Sequence, residues 1–140
     1  MKIEKFFFEP HGDYRGQLVA IENEKSIPFD IKRVYYMYDT KGGISRGHHA
    51  HRNLKQVLVC VAGSCRLLLD DGKEREDIVL NRPFEGVYVD NCMWRIMYDF
   101  TPGTVLLVLA SELYEPEDYI YDYAEFLKYV GAEPHPEAEV

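Results

Sequence analysis

Short apolar runs separated by turn-forming residues recur from the start of the chain to about residue 110. The pattern predicts strands over Gln17–Glu22, Ile31–Tyr38, Gln56–Val61, Cys65–Asp70, Asp77–Leu80, Gly86–Val89, Met93–Tyr98 and Thr104–Leu109. Val, Ile, Leu and Tyr dominate these runs, and Gly16, Pro28, Lys41-Gly42-Gly43, Gly63, Asp71-Gly72, Pro83 and Pro102-Gly103 punctuate them. Strands so evenly spaced predict an antiparallel sandwich or barrel, not alternating βαβ units. The pattern changes at Pro116. Beyond it Ile120, Tyr123, Phe126, Leu127 and Val130 fall near helical spacing and Gly131 closes the run, which predicts a helix over Glu117–Tyr129. Residues 132–140 are polar and proline-containing, and read as a flexible, frayed tail. With no repeat and no linker, residues 1–131 read as a single domain.

Composition narrows the class. A chain of 140 residues with 46 % hydrophobic and 29 % charged positions matches an ordinary soluble domain large enough to bury a core. No apolar run is long enough to span a membrane, and MKIEKFFFEP lacks a signal-peptide pattern. Cys60, Cys65 and Cys92 are odd in number and lack metal-binding spacing, which suits reduced thiols in a cytoplasmic protein. The net charge of −8 argues against nucleic-acid binding, so an anionic ligand requires local positive charge.

Three of the five histidines stand together in Arg46-Gly47-His48-His49-Ala50-His51. On a strand, side chains alternate, so His49 and His51 share one face and His48 takes the other, where a packing or hydrogen-bonding role is expected. Such a pair is half of a metal site or a pair of proton carriers. His-x-His followed by Gln56 and Gly63 resembles the first motif of the cupins, small antiparallel jelly-roll barrels, with Gln56 where those carry a glutamate. Gly86 to Arg95 resembles the second cupin motif, with Arg95 where a fourth, histidine ligand would stand. A neutral amide is a weak ligand and a guanidinium is none, so the substitutions argue against a metal and leave the imidazoles free for acid–base work.

Longer blocks carry a tighter resemblance. Asp13-Tyr14-Arg15-Gly16, Leu18 to Glu22, Ile27 to Tyr36, Arg46 to His51, Gln56 to Cys60, Gly63-Ser64-Cys65, Val108 to Ser111 and Tyr114 to Ile120 together resemble the dTDP-4-dehydro-6-deoxyglucose 3,4-ketoisomerases, over about residues 5 to 130. The resemblance implies an all-β cupin-type jelly roll with a C-terminal helix and a homodimer joined through N-terminal strands, which the apolar Phe6-Phe7-Phe8 allows. It also implies a cofactor-free isomerase that moves the carbonyl of a dTDP-linked 4-keto-6-deoxy sugar from C4 to C3, for surface glycans.

By the same resemblance His49 is the first choice of proton carrier, His51 its partner, and Tyr35 a phenol that polarises the sugar oxygens. Arg33 and Arg46 are assigned to the diphosphate, which guanidinium groups bind bidentately. Trp94 is expected to border the sugar pocket. Arg15 and Arg95 occupy the two positions that track the product's C4 configuration. Arginine at the first resembles the galacto-forming group and arginine at the second the gluco-forming group, so the product configuration stays open. A nucleotide-sugar 3,5-epimerase and a non-catalytic sugar-binding cupin are the competing readings.

Overall fold

A computed structural model describes all 140 residues. Residues Lys5–Phe7 form β1, and His11–Asp13 and Gly16–Leu18 form a hairpin, β2 and β3. Next come β4 (Arg33–Met37), β5 (Arg46–His51), β6 (Gln56–Ala62), β7 (Cys65–Asp70) and β8 (Arg75–Leu80). They are followed by β9 (Glu85–Val89), β10 (Trp94–Tyr98), β11 (Val105–Ala110), β12 (Tyr119–Ile120) and a short helix, α1 (Tyr123–Tyr129). Two five-stranded sheets, ordered β1-β9-β6-β11-β4 and β12-β5-β10-β7-β8, face one another, and every pairing is antiparallel. This is the all-β cupin-type architecture that the sequence implies, with the helix at its C-terminal end.

The interior is filled from both sheets, by Leu58, Cys60, Val87, Leu106 and Val108 on one side and Leu67, Leu69 and Met97 on the other. Strands β6 and β7 are apolar at nearly every position because both of their faces are covered. Val57 and Val59 point outward beneath Phe8, Ile27 and the segment from Val19 to Ile31. Leu68 points outward beneath Phe126 and Leu127 of α1.

Three sequence expectations change. The strand expected over Gln17–Glu22 is laddered only to Leu18, because Val19 and Ile21 lie against the outer apolar cluster instead of a neighbouring strand. The expected helix over Glu117–Tyr129 begins at Tyr123. Tyr119 and Ile120 pair with His51 and Ala50, and the Asp122 carboxylate caps the true start by accepting from the Glu125 amide at 3.1 Å. The tail expected to fray is docked: His135 Nε2 bonds the Gly72 carbonyl at 2.9 Å, and Glu137 reaches Trp94 and His48.

Candidate active site

Inward-facing positions at one end of the interior are polar: Arg33 and Tyr35 on β4, His49 and His51 on β5, Gln56 on β6 and Arg95 on β10. The alternation that puts His49 and His51 on one face holds, and their ring centroids are 4.9 Å apart with planes at 90°. A bulge interrupts the β5–β10 register between Arg95 and Ile96. It is formed by Gly47 at φ +95° and His48 at φ +53°. A glycine is required at the first of these, since an added Cβ would lie 2.8 Å from the Arg95 carbonyl oxygen. His48 faces away from the pair and bonds Ser45 Oγ at 2.8 Å and the Glu137 carboxylate at 2.7 Å.

Each imidazole of the pair is held through Nδ1. His49 Nδ1 lies 3.0 Å from the Gly47 carbonyl oxygen, and His51 Nδ1 lies 2.9 Å from Asp118 Oδ2. Carbonyl and carboxylate oxygens only accept, so Nδ1 carries the hydrogen in both rings and Nε2 keeps its lone pair. Asp118 is itself fixed by the amides of Asn53 at 2.7 Å and Leu54 at 3.3 Å. Tyr119 packs against both rings, with centroids 5.1 Å from His49 and 4.3 Å from His51.

Below the rings lies a buried guanidinium. Arg95 donates to the Met93 carbonyl from Nε at 3.3 Å and Nη2 at 2.9 Å, and from Nη1 to Gln56 Oε1. Gln56 in turn donates to the Tyr35 hydroxyl at 2.8 Å. Burial lowers Arg95 to about 10, so it stays charged at neutral pH. Burial first, and the Arg95 charge second, push His49 down to about 4. The same two causes, followed by His49 and Arg33, lower His51 against the pull of Asp118. Both rings are therefore neutral bases near pH 7. The donors do not suit a divalent cation, because Arg95 already engages the Gln56 oxygen and presents a fixed positive charge.

Two adjoining clefts open over this pair. One, of about 390 Å³, is lined by Arg33, Tyr35, Arg46, Gly47, His49 and Tyr119 among others. The second, of about 420 Å³, includes Arg33, His51, Tyr114, Asp118 and Tyr119. Arg33 stands in both, 5.3 Å from the Tyr35 ring centroid and 5.7 Å from that of Tyr114, and its buried Nε has no partner.

Of the residues singled out by sequence, His49, His51, Tyr35, Arg33 and Arg46 come together around these clefts. Arg95 lies beneath them and lines neither. Arg15 is in the exposed turn of the β2–β3 hairpin, bonded to Asp13 at 2.7 Å, and lines neither cleft. The expectation that Trp94 borders the sugar pocket is corrected: adjacent to Arg95 on a strand, it faces the opposite side and is buried against Tyr123 and Phe126. Sequence reasoning missed Asp118 and Tyr119 as site residues, because the helical spacing beyond Pro116 hid a 3₁₀ turn and a short strand.

A family model described as FdtA, WxcM-like, C-terminal, matches residues 1–131. The chain belongs to this family. A TDP-4-oxo-6-deoxy-alpha-D-glucose-3,4-oxoisomerase from Aneurinibacillus thermoaerophilus is 54 % identical over 119 residues, covering 85 % of this chain and 86 % of that protein. Among solved structures, a 3,4-ketoisomerase from Helicobacter canadensis is 49 % identical with a TM-score of 0.90, covering 94 % of this chain and 98 % of the other. QdtA, a sugar 3,4-ketoisomerase from Thermoanaerobacterium thermosaccharolyticum in complex with TDP, is 43 % identical with a TM-score of 0.90, covering 92 % and 94 %. The family membership and the neutral histidine pair rest on separate observations and lead to the same chemistry.

Proposed function

We propose that this chain is a dTDP-4-keto-6-deoxyglucose 3,4-ketoisomerase, an isomerase that moves the sugar carbonyl from C4 to C3. The observation that carries the reading is the pair of imidazoles in one cleft region, each with Nδ1 occupied and Nε2 available as a base. In the reaction, Nε2 of His49 takes the proton from C3, and the carbonyl oxygen at C4 gains a proton as the enediol forms. The hydroxyl proton at O3 then leaves while C4 is protonated, so C3 becomes the ketone and C4 bears the hydroxyl. His51, oriented by Asp118, exchanges the hydroxyl protons, and Tyr35 polarises the sugar oxygens. The Arg95 guanidinium stabilises negative charge as it develops, without having to reorganise. Arg33 and Arg46 take the diphosphate.

Positioned acid–base catalysis is worth on the order of 10² to 10⁴ in rate. Proton NMR of the product formed from dTDP-4-keto-6-deoxyglucose tests the proposal. A ketone at C3, with turnover lost in His49→Asn and nucleotide binding retained, is the expected result. A ketone still at C4 with an inverted carbon would make the chain an epimerase, and binding without turnover would make it a sugar-binding cupin. The same spectrum reads the C4 configuration, on which Arg15 and Arg95 point to opposite products.

The proposed working form is a homodimer in the cytoplasm. The β2–β3 hairpin pairs with neither large sheet and is exposed at every strand position, and Phe7, Tyr14 and Leu18 around it are exposed as well. A second protomer supplies the surface these residues lack and brings Arg15 into a site. Sedimentation should give the dimer mass, and a monomer at micromolar concentration would contradict the proposal.

A further inference from the structure

Residues 132–140 lie beyond the stretch matched by the family model, yet they run back along the outer face of the sheet that holds the histidines. One end of this segment is anchored by His135 on Gly72, at 2.9 Å, and by the Pro136 carbonyl, which accepts from Arg75. Farther along, a single oxygen of Glu137 accepts from Trp94 Nε1 at 2.9 Å and from His48 Nδ1 at 2.7 Å. The other ring nitrogen, Nε2, lies 2.8 Å from the Ser45 hydroxyl. Glu137 thus ties β10 to β5 across the bulge.

His48 is the non-glycine half of that bulge, in the left-handed region that few side chains adopt without support. Its other half, Gly47, supplies the carbonyl that holds His49 Nδ1. We infer that the C-terminal segment is a strap in which Glu137 is a positioning residue for His49, holding His48 so that the Gly47 carbonyl fixes the tautomer and aim of the base. Glu137 touches neither cleft and acts only through His48 and Trp94.

The strap's effect on turnover rests on the isomerase reading, but its structural half does not. Trp94 is the chain's only tryptophan, so one indole N–H resonance reports the Glu137 contact directly. Glu137→Ala should move that resonance, disturb the nitrogen spectrum of the His49 ring, and lower kcat about tenfold with KM within about twofold. Glu137→Gln, which keeps an acceptor oxygen, should recover most of the loss. Truncation after Glu133 should reproduce the alanine phenotype.

Wild-type kcat in Glu137→Ala, or an indole resonance unmoved by it, would overturn the proposal. So would a truncated chain that fails to fold, because the segment would then be a stability element rather than a positioning device. If the wild-type chain does not turn over the keto sugar, the isomerase reading fails, and the His49 spectrum alone still decides whether the strap positions the ring.

Discussion

The Arg95 side chain is almost wholly buried and meets only neutral acceptors, the Met93 carbonyl and the Gln56 amide oxygen. Burying a cation with no carboxylate bonded to it costs several kcal/mol, and here its field is directed at the two imidazoles. That arrangement is useful to an enzyme whose bases must be unprotonated and whose intermediate is electron-rich. Replacing Arg95 by Met leaves the burial of His49 and removes the second cause of its lowered pKa. The acid limb of kcat/KM should lie near pH 4 in the wild type and move up by roughly one pH unit in Arg95→Met. A limb that stays in place while the plateau falls would show that Arg95 acts on the substrate and not on the histidines.

At the scale of elements, β5 and its bulge decide the site. Gly47→Ala puts a Cβ against the Arg95 carbonyl and forces alanine to φ +95°, which should cost about 1–3 kcal/mol. Gly43→Ala, where nothing lies within 4 Å, should change the thermal midpoint very little. Equal midpoints for the two variants would remove the bulge as a structural requirement.

The strand pattern was legible in the sequence because period-two alternation and turn residues are local signals, and β7 begins and ends where the pattern put it. The His49/His51 face was legible for the same reason. Asp118 was not, because what brings it to His51 is pairing of β12 with β5 across 67 residues of chain. The helical spacing of Ile120, Tyr123 and Phe126 was misleading in a simple way. These side chains do share one buried cluster, but Ile120 reaches it from a strand and the other two from a helix. Trp94 was misplaced because neighbours on a strand cannot both face the cleft, and Arg95 is the one that faces inward.

For the whole molecule, neutral buried histidines link stability to pH. His49 titrates near 6.5 when exposed and near 4 in the fold, so between these values the unfolded chain binds more protons than the native one. The stability that this ring contributes is complete above about pH 6.5. It is lost as pH falls toward 4, at up to about 1.4 kcal/mol per unit. Urea denaturation at pH 7 and pH 5 should show the loss, and His49→Gln should remove this ring's share of it, leaving the share of His51, whose pKa is lowered by the same burial. An unchanged slope in that variant would place the acid sensitivity elsewhere.

The lowered basicity of His49 also has an isotopic consequence. A ring that prefers to be neutral releases a captured proton quickly, and Tyr35 and Tyr119 line the cleft beside it. The hydrogen lifted from C3 is then the nearest one available when C4 is protonated. Substrate deuterated at C3 should yield product carrying part of that deuterium at C4, seen by mass spectrometry after a single turnover in ordinary water. Complete washout would mean that solvent reaches the ring within the lifetime of the enediol. Retained label would make the enzyme a courier that returns the same atom one carbon along the ring.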